Sequence, residues 1–203
     1  MRASSGLDGI HFSVLTEKWA KGAKRSFKKI KYNPNVLRGL LTKSRKIENS
    51  TENLGILFFN DGARYDVVKV CNPYCEPCAK AHPILEELVE KGTINLRIIF
   101  NASLDKDDLS KDPVNYFLTI NDKEKENVTK KVLNDWYSSN QKDFNAFLNR
   151  FPALNKVDNN FEKIRDMAKW CIAEDIKYTP TIFINGHELP DEYSIEDLKE
   201  VLM

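Results

Sequence analysis

Apolar positions recur along the chain with two periods, and the changes of period divide it into elements. LGILFF and DVVKVC are short apolar runs separated by Asn60, Asp61 and Gly62, and they read as strands joined through a turn. From Glu76 to Lys91 the period becomes helical, with Ile84, Leu85, Leu88 and Val89 on one face and Gly92 as the stop signal. INLRIIF, rich in β-branched residues, follows as a strand, so the order β, α, β predicts a parallel pair with a right-handed crossover. Between Asp105 and Asp175 three helical stripes succeed one another: Val128, Val132, Leu133 and Trp136; Phe144, Phe147, Leu148 and Phe151; Phe161, Ile164, Met167 and Cys171. The chain returns to strands in TIFI and HEL around Asn185-Gly186, a hairpin signal, and closes with the amphipathic SIEDLKEVL behind Ser194 as N-cap.

The segment ahead of these elements has a different character. Leu15 to Lys46 reads as helical and basic, with a turn at Asn33-Pro34, and the polar residues 47–53 read as a linker. Residues 1–48 carry 12 Lys or Arg against three acids, whereas the remainder carries 19 basic and 27 acidic side chains. That split predicts a basic helical arm and linker over 1–50 and a separate domain over 51–203, interrupted by a helical insertion at 105–175. The arm is expected to be a solvated face, with an anionic membrane surface or a partner domain as the alternative contact. No apolar run approaches the length of a membrane span, and the start MRASSGLDGIHFSV lacks the pattern of a secretory leader, so a soluble chain is expected.

Four cysteines are too few for a disulfide scaffold, and three of them, Cys71, Cys75 and Cys78, fall within eight residues. Cys75 lies where a strand gives way to a helix, so its sulfur meets the unpaired N–H groups of the first helical turn, which favour a thiolate. A thiolate attacks disulfides, and a second cysteine three residues on can attack the resulting mixed disulfide: Cys75 attacks and Cys78 resolves. The spacing alone also suits half a zinc site. With Cys71 it becomes CxxxCxxC, the iron-sulfur spacing of radical enzymes, although too short a stretch follows Cys78 for their usual run of βα units. Cys71 and Cys171 sit in apolar patterns and are expected in the core, with a second disulfide as the alternative; His82 is expected to be packed or solvated rather than functional.

The flanking residues narrow the choice. YCEPCAKAHPILEELV resembles the active-site segment of thioredoxins without a gap, including Pro77 before the second cysteine and Pro83 inside the helix, where proline costs about 3 kcal/mol and so asks for a reason. YTPTIFING resembles the thioredoxin loop in which a cis-proline faces the cysteine pair, with Thr179-Pro180 at the matching place. The resemblance covers about residues 54–203 and extends to the DsbA-like branch through the helical insertion. It is greatest for the thioredoxin-like domains fused behind vitamin K epoxide reductase-like membrane domains in bacteria, which share the CNPYC and TPTxFxNG phrasing.

The resemblance implies an α/β thioredoxin-like fold, with a central mixed sheet flanked by helices, an inserted helical subdomain and the basic N-terminal arm. It implies a thiol-disulfide oxidoreductase that acts on protein thiols and disulfides outside the cytoplasm, with a vitamin K epoxide reductase-like membrane protein as redox partner. It needs no organic cofactor, metal or nucleic acid. Tyr74 and Tyr178 become candidates to line a substrate peptide against the Pro180 loop. One departure is Lys69, which stands where thioredoxins keep a buried acid; desolvated there, it could lower the thiolate pKa by its charge or serve as a base. Another is Glu76, whose charge disfavours a thiolate at Cys75, so that the pair is expected nearer the thioredoxin pKa of about 7 than the DsbA value of about 3.5. The remaining alternatives are a cytoplasmic reductase and a peptide-binding or chaperone module that kept the fold without turnover.

Overall fold

A computed structural model describes residues 7–151 and 158–203, with side chains from Thr16 onward; MRASSG, the first part of the stretch read for a leader, lies outside the described residues. Two helices lead the chain, α1 (Leu7–Lys31) and α2 (Pro34–Leu41), the second capped by Asn33, whose side chain accepts from the Asn35 amide at 2.9 Å. Then come β1 (Ile56–Phe58), β2 (Tyr65–Cys71), α3 (Glu76–Glu90) and β3 (Ile94–Phe100). Four helices follow: α4 (Lys111–Lys123), α5 (Glu126–Ser138), α6 (Phe144–Arg150) and α7 (Phe161–Ala173). The chain ends in β4 (Thr181–Ile184), β5 (His187–Glu188), a 3₁₀ turn at Ile195–Asp197 and α8 (Leu198–Val201).

The five strands form one mixed sheet in the order β1-β3-β2-β4-β5. β2 and β3 are parallel and joined by α3, while β1 on β3, β4 on β2 and β5 on β4 are antiparallel. This is the helix-flanked mixed sheet that the resemblance implies. β1 and β2, consecutive in the chain, are not neighbours: β1 crosses to the far side of β3, pairing Ile56 with Ile98. Gly55 makes that approach possible, since at its φ of +65° a Cβ would lie 1.9 Å from the Ile98 carbonyl oxygen. The β4–β5 hairpin turns on Asn185 and Gly186, both at positive φ, which a two-residue loop of this hand requires.

Since β2 is central and covered on both faces, every side chain from Val67 to Cys71 is buried, Lys69 included. The helical stripes point into the core as their period requires, Val132, Leu133, Trp136, Phe147, Ile164, Met167 and Cys171 all being buried. Phe161, at the first turn of α7, is instead 36% exposed.

The leading segment divides within itself. Leu37 and Leu41 of α2 are core residues. Ile47, in the stretch read as a linker, donates its amide to the Gly186 carbonyl at 2.8 Å. The amides of Glu48 and Asn49 donate to the buried carboxylate of Glu174, and Arg45 pairs with Glu188 at 2.7 Å. Residues 47–49 are thus tied to the domain by their backbone amides, while Ser50, Glu52 and Asn53 are exposed. Only α1 stands away: its residues 16–30 are all exposed, and its base is held where Lys31 pairs with Asp197 at 2.8 Å and Tyr32 donates to the same carboxylate at 3.0 Å.

α3 packs on α5 through a buried histidine. His82 stacks on the Tyr137 ring at 4.6 Å and bonds Asn134 Oδ1 at 2.7 Å through Nε2. Asn134 donates its own amide to Glu86, so its carbonyl faces the histidine; Nε2 then carries the proton, and Nδ1 is buried without a hydrogen-bond partner. Burial pushes this imidazole down to about 3, and the folded protein holds it neutral. Below the ordinary histidine pKa of about 6.5 the unfolded chain takes up a proton that the folded chain refuses. The stability His82 contributes is therefore complete above pH 6.5 and is lost as pH falls toward 3. Thermal melts across that window should show a steeper loss in the wild type than in His82→Gln, and parallel profiles would mean that His82 is not held as a neutral buried base.

Candidate functional site

Between β2 and α3 the segment Asn72–Cys75 makes a tight loop whose shape is set by Asn72. Its Oδ1 accepts from the Tyr74 amide at 2.9 Å, and its Nδ2 donates to the Asn101 carbonyl at 3.1 Å and to Ser110 Oγ at 2.7 Å. Trp136 of α5 pins the same loop by donating Nε1 to the Pro73 carbonyl at 2.8 Å, and Tyr74 packs edge-on against that indole at 5.5 Å. The loop delivers Cys75 to the N-cap of α3 with extended backbone, φ −74° and ψ 116°.

The Cys75 sulfur accepts the Cys78 amide at 3.2 Å, taking the part that a Ser or Asp oxygen plays at ordinary helix starts. On its other side the thiol donates to the Thr179 carbonyl, also at 3.2 Å. The Thr179–Pro180 peptide bond is cis. The two segments thus meet across 104 residues of sequence at a half-buried sulfur. Pro77 lies in the first turn of α3, where its missing N–H is one the helix would leave unpaired in any case, and Pro83 lies inside the helix.

Cys78 is fully buried. Burial raises its thiol far above the ordinary cysteine range, with the neighbouring Cys71 and the bond to Cys75 acting in the same direction, while an Asn72 backbone contact and Lys69 act against them. All four cysteines are thiols in this structure. The two members of the pair therefore differ sharply: one sulfur reaches solvent and the other is sealed beneath it.

Lys69 is 0% exposed. Its Nζ donates to the Cys78 carbonyl at 3.2 Å and sits 4.4 Å from the centre of the Tyr137 ring. Burial lowers its pKa, countered in part by the nearby Cys71, Cys78 and Cys75. Tyr137 in turn bonds Cys71 through Oη and Sγ at 3.2 Å. Burial raises the Cys71 thiol and pushes Cys171 up to about 12, as befits sulfurs packed in the core. Among the described residues no group of three or more His, Cys, Asp or Glu side chains is placed to hold a metal ion.

The other candidates lie at the rim. Glu76 is exposed and engages Lys80 one turn on at 2.7 Å, so its charge is spent in solvent, where screening weakens its hold on Cys75. Tyr178 is 61% exposed and donates to Glu188 at 3.2 Å; with Pro180, Thr181, Ile182 and Leu189 it borders a groove beside the cis-proline loop. Asn72, Trp136 and Tyr137 are parts of the site that sequence reasoning did not single out. Asn72 lies inside the CNPYC motif and was open to notice, but Trp136 and Tyr137 come from the insertion and look in sequence like any other core aromatics.

Comparison with known proteins agrees with this fold. The fold is similar to that of a periplasmic thioredoxin-like protein from Salmonella enterica serovar Typhimurium, at 15% identity and a TM-score of 0.61, covering 77% of this chain and 91% of that one. Proteus mirabilis ScsC in a transitional conformation matches at 12% identity and 0.61, over 98% of this chain and 97% of that one. Oxidised BdbD from Bacillus subtilis matches at 13% and 0.59, over 78% and 96%. Among curated protein sequences none matches this one significantly. A family model described as thioredoxin matches residues 60–203, from the turn before β2 to the last residue, and on that match the chain belongs to the thioredoxin family.

Proposed function

We propose that the protein is a thiol-disulfide oxidoreductase that exchanges disulfides with protein substrates through Cys75 and Cys78. The observation that carries this reading is the unequal environment of the two sulfurs: Cys75 caps α3 at the surface beside the Thr179 carbonyl, and Cys78 is buried below it. The Cys75 thiolate attacks a substrate disulfide, forming a mixed disulfide and expelling one substrate thiolate. Cys78 then loses its proton and attacks the Cys75 sulfur, which releases the second substrate thiolate and leaves a Cys75–Cys78 disulfide. The reverse sequence oxidises a substrate dithiol, and the potential of the pair relative to its surroundings sets the direction. Tyr74, Tyr178 and the groove beside Pro180 receive the substrate as an extended segment.

Cys78 must ionise inside the core, where an isolated thiolate is costly. Lys69 is the base in this reading. Proton transfer from a neutral thiol to a neutral amine creates two opposite charges together, so the core never holds one alone, and the Tyr137 face below Nζ stabilises the ammonium as it forms. The Salmonella protein of similar fold is periplasmic, and with the CNPYC and TPTIFING segments this supports a place outside the cytoplasm, with a vitamin K epoxide reductase-like membrane protein exchanging electrons with the pair.

Insulin reduction and the refolding of a scrambled disulfide substrate test the activity. The wild type should catalyse at least one, Cys75→Ser neither, and Cys78→Ser should accumulate a mixed disulfide through Cys75. If the wild type does neither, the chain is a binding module on this fold.

Single-turnover decay of the mixed disulfide tests Lys69. With Lys69→Met the resolving step should slow by about 100-fold near neutrality, the order expected for loss of a general base. Its rate should then climb with pH as hydroxide takes over, whereas the wild type levels off once pH passes the lowered lysine pKa. Equal rates and equal pH profiles would remove Lys69 from the mechanism.

A further inference from the structure

We propose that α1 is an interfacial helix that docks the protein onto an anionic lipid bilayer. Over residues 16–30 the helix divides into two faces that the other described residues leave exposed. Trp19, Ala23, Phe27 and Ile30 follow the spacing of a single face, with Ala20, Gly22 and Ser26 beside them. Trp19, Phe27 and Ile30 are 78%, 63% and 62% exposed, unusual for large apolar side chains in sequence on one helix. The opposite arc carries Lys18, Lys21, Lys24, Arg25, Lys28, Lys29 and Lys31, and Glu17 is the only acid from 16 to 31.

Charge decides the occupant. A second copy packed on the apolar face would bring two cationic flanks together with Glu17 as the one acid between residues 16 and 31 to meet them, and like charges at that range repel. A bilayer rich in anionic headgroups takes the apolar face into its acyl boundary and meets the flanking cations with opposite charge, as interfacial helices do. Trp19 suits the headgroup level, having an apolar ring with one polar N–H. The anchoring of Lys31 and Tyr32 on Asp197 joins the helix to the domain, so docking would hold the redox site near the membrane surface.

The full chain should co-sediment with vesicles containing phosphatidylglycerol and not with pure phosphatidylcholine, and salt should release it. Trp136 and Trp170 are buried, so a blue shift of tryptophan fluorescence on binding reports Trp19. Two triple variants, Trp19→Ser with Phe27→Ser and Ile30→Ser, and Lys21→Gln with Lys24→Gln and Lys28→Gln, should each weaken binding at least about tenfold, the second mainly through its salt-dependent part. The surface lies outside the catalytic site, so insulin reduction by both variants in the absence of lipid should equal that of the wild type. Failure to bind anionic vesicles would overturn the proposal, as would equal binding to neutral ones. Concentration-dependent self-association that the serine variant abolishes, without vesicle binding, would assign the face to a second copy instead.

Discussion

The hydrogen bond from the Cys78 amide to the Cys75 sulfur places a thiol at the start of a helix, where unpaired N–H groups gather. Much of the surrounding structure serves to keep it there. Asn72 shapes the loop before it, Trp136 clamps that loop from α5, and the Thr179 carbonyl closes the other side. The parallel pair β2–β3 and the helix between them set the direction of approach, so the sulfur emerges at the end of the sheet strand that is buried on both faces.

Burial of that central strand has a second consequence. Position 69 lies in that strand and is fully buried, and here the residue is a lysine with no carboxylate paired to it among the described residues. A lone ammonium there would be costly, so burial lowers its pKa, while the same burial raises Cys78. A base and an acid are thus both biased toward their uncharged forms in one pocket, with an aromatic face beneath. In the proposed function such a pocket passes a proton internally with no net change of buried charge, which is the physical basis for assigning Lys69 a part in resolution.

Features resting on neighbours along the chain were legible in the sequence itself. The β-α-β unit, the cysteine at the helix start, the Asn185-Gly186 hairpin and the aliphatic stripes of α5 and α7 all follow from local period and turn chemistry. Features resting on distant partners were not. That β1 pairs with β3 rather than β2 depends on Gly55 meeting Ile98. That residues 45–49 are held on the domain depends on Glu174, more than a hundred residues away. In the site, the two cysteines and the proline loop announced themselves by motif, whereas Tyr137, His82 and Asn134 converge beneath them only through the packing of α3 on α5.

The most direct test of this account is which sulfur reacts first. Reduced protein treated briefly with iodoacetamide at neutral pH and digested with trypsin yields the peptide Val70–Lys80, which carries Cys71, Cys75 and Cys78 together, and fragment ions assign the label among them. The unequal environments predict a label on Cys75 while Cys71 and Cys78 stay unmodified until the protein is unfolded. Labelling of Cys78 as fast as Cys75 in the folded protein would contradict the division of roles on which the proposed function stands.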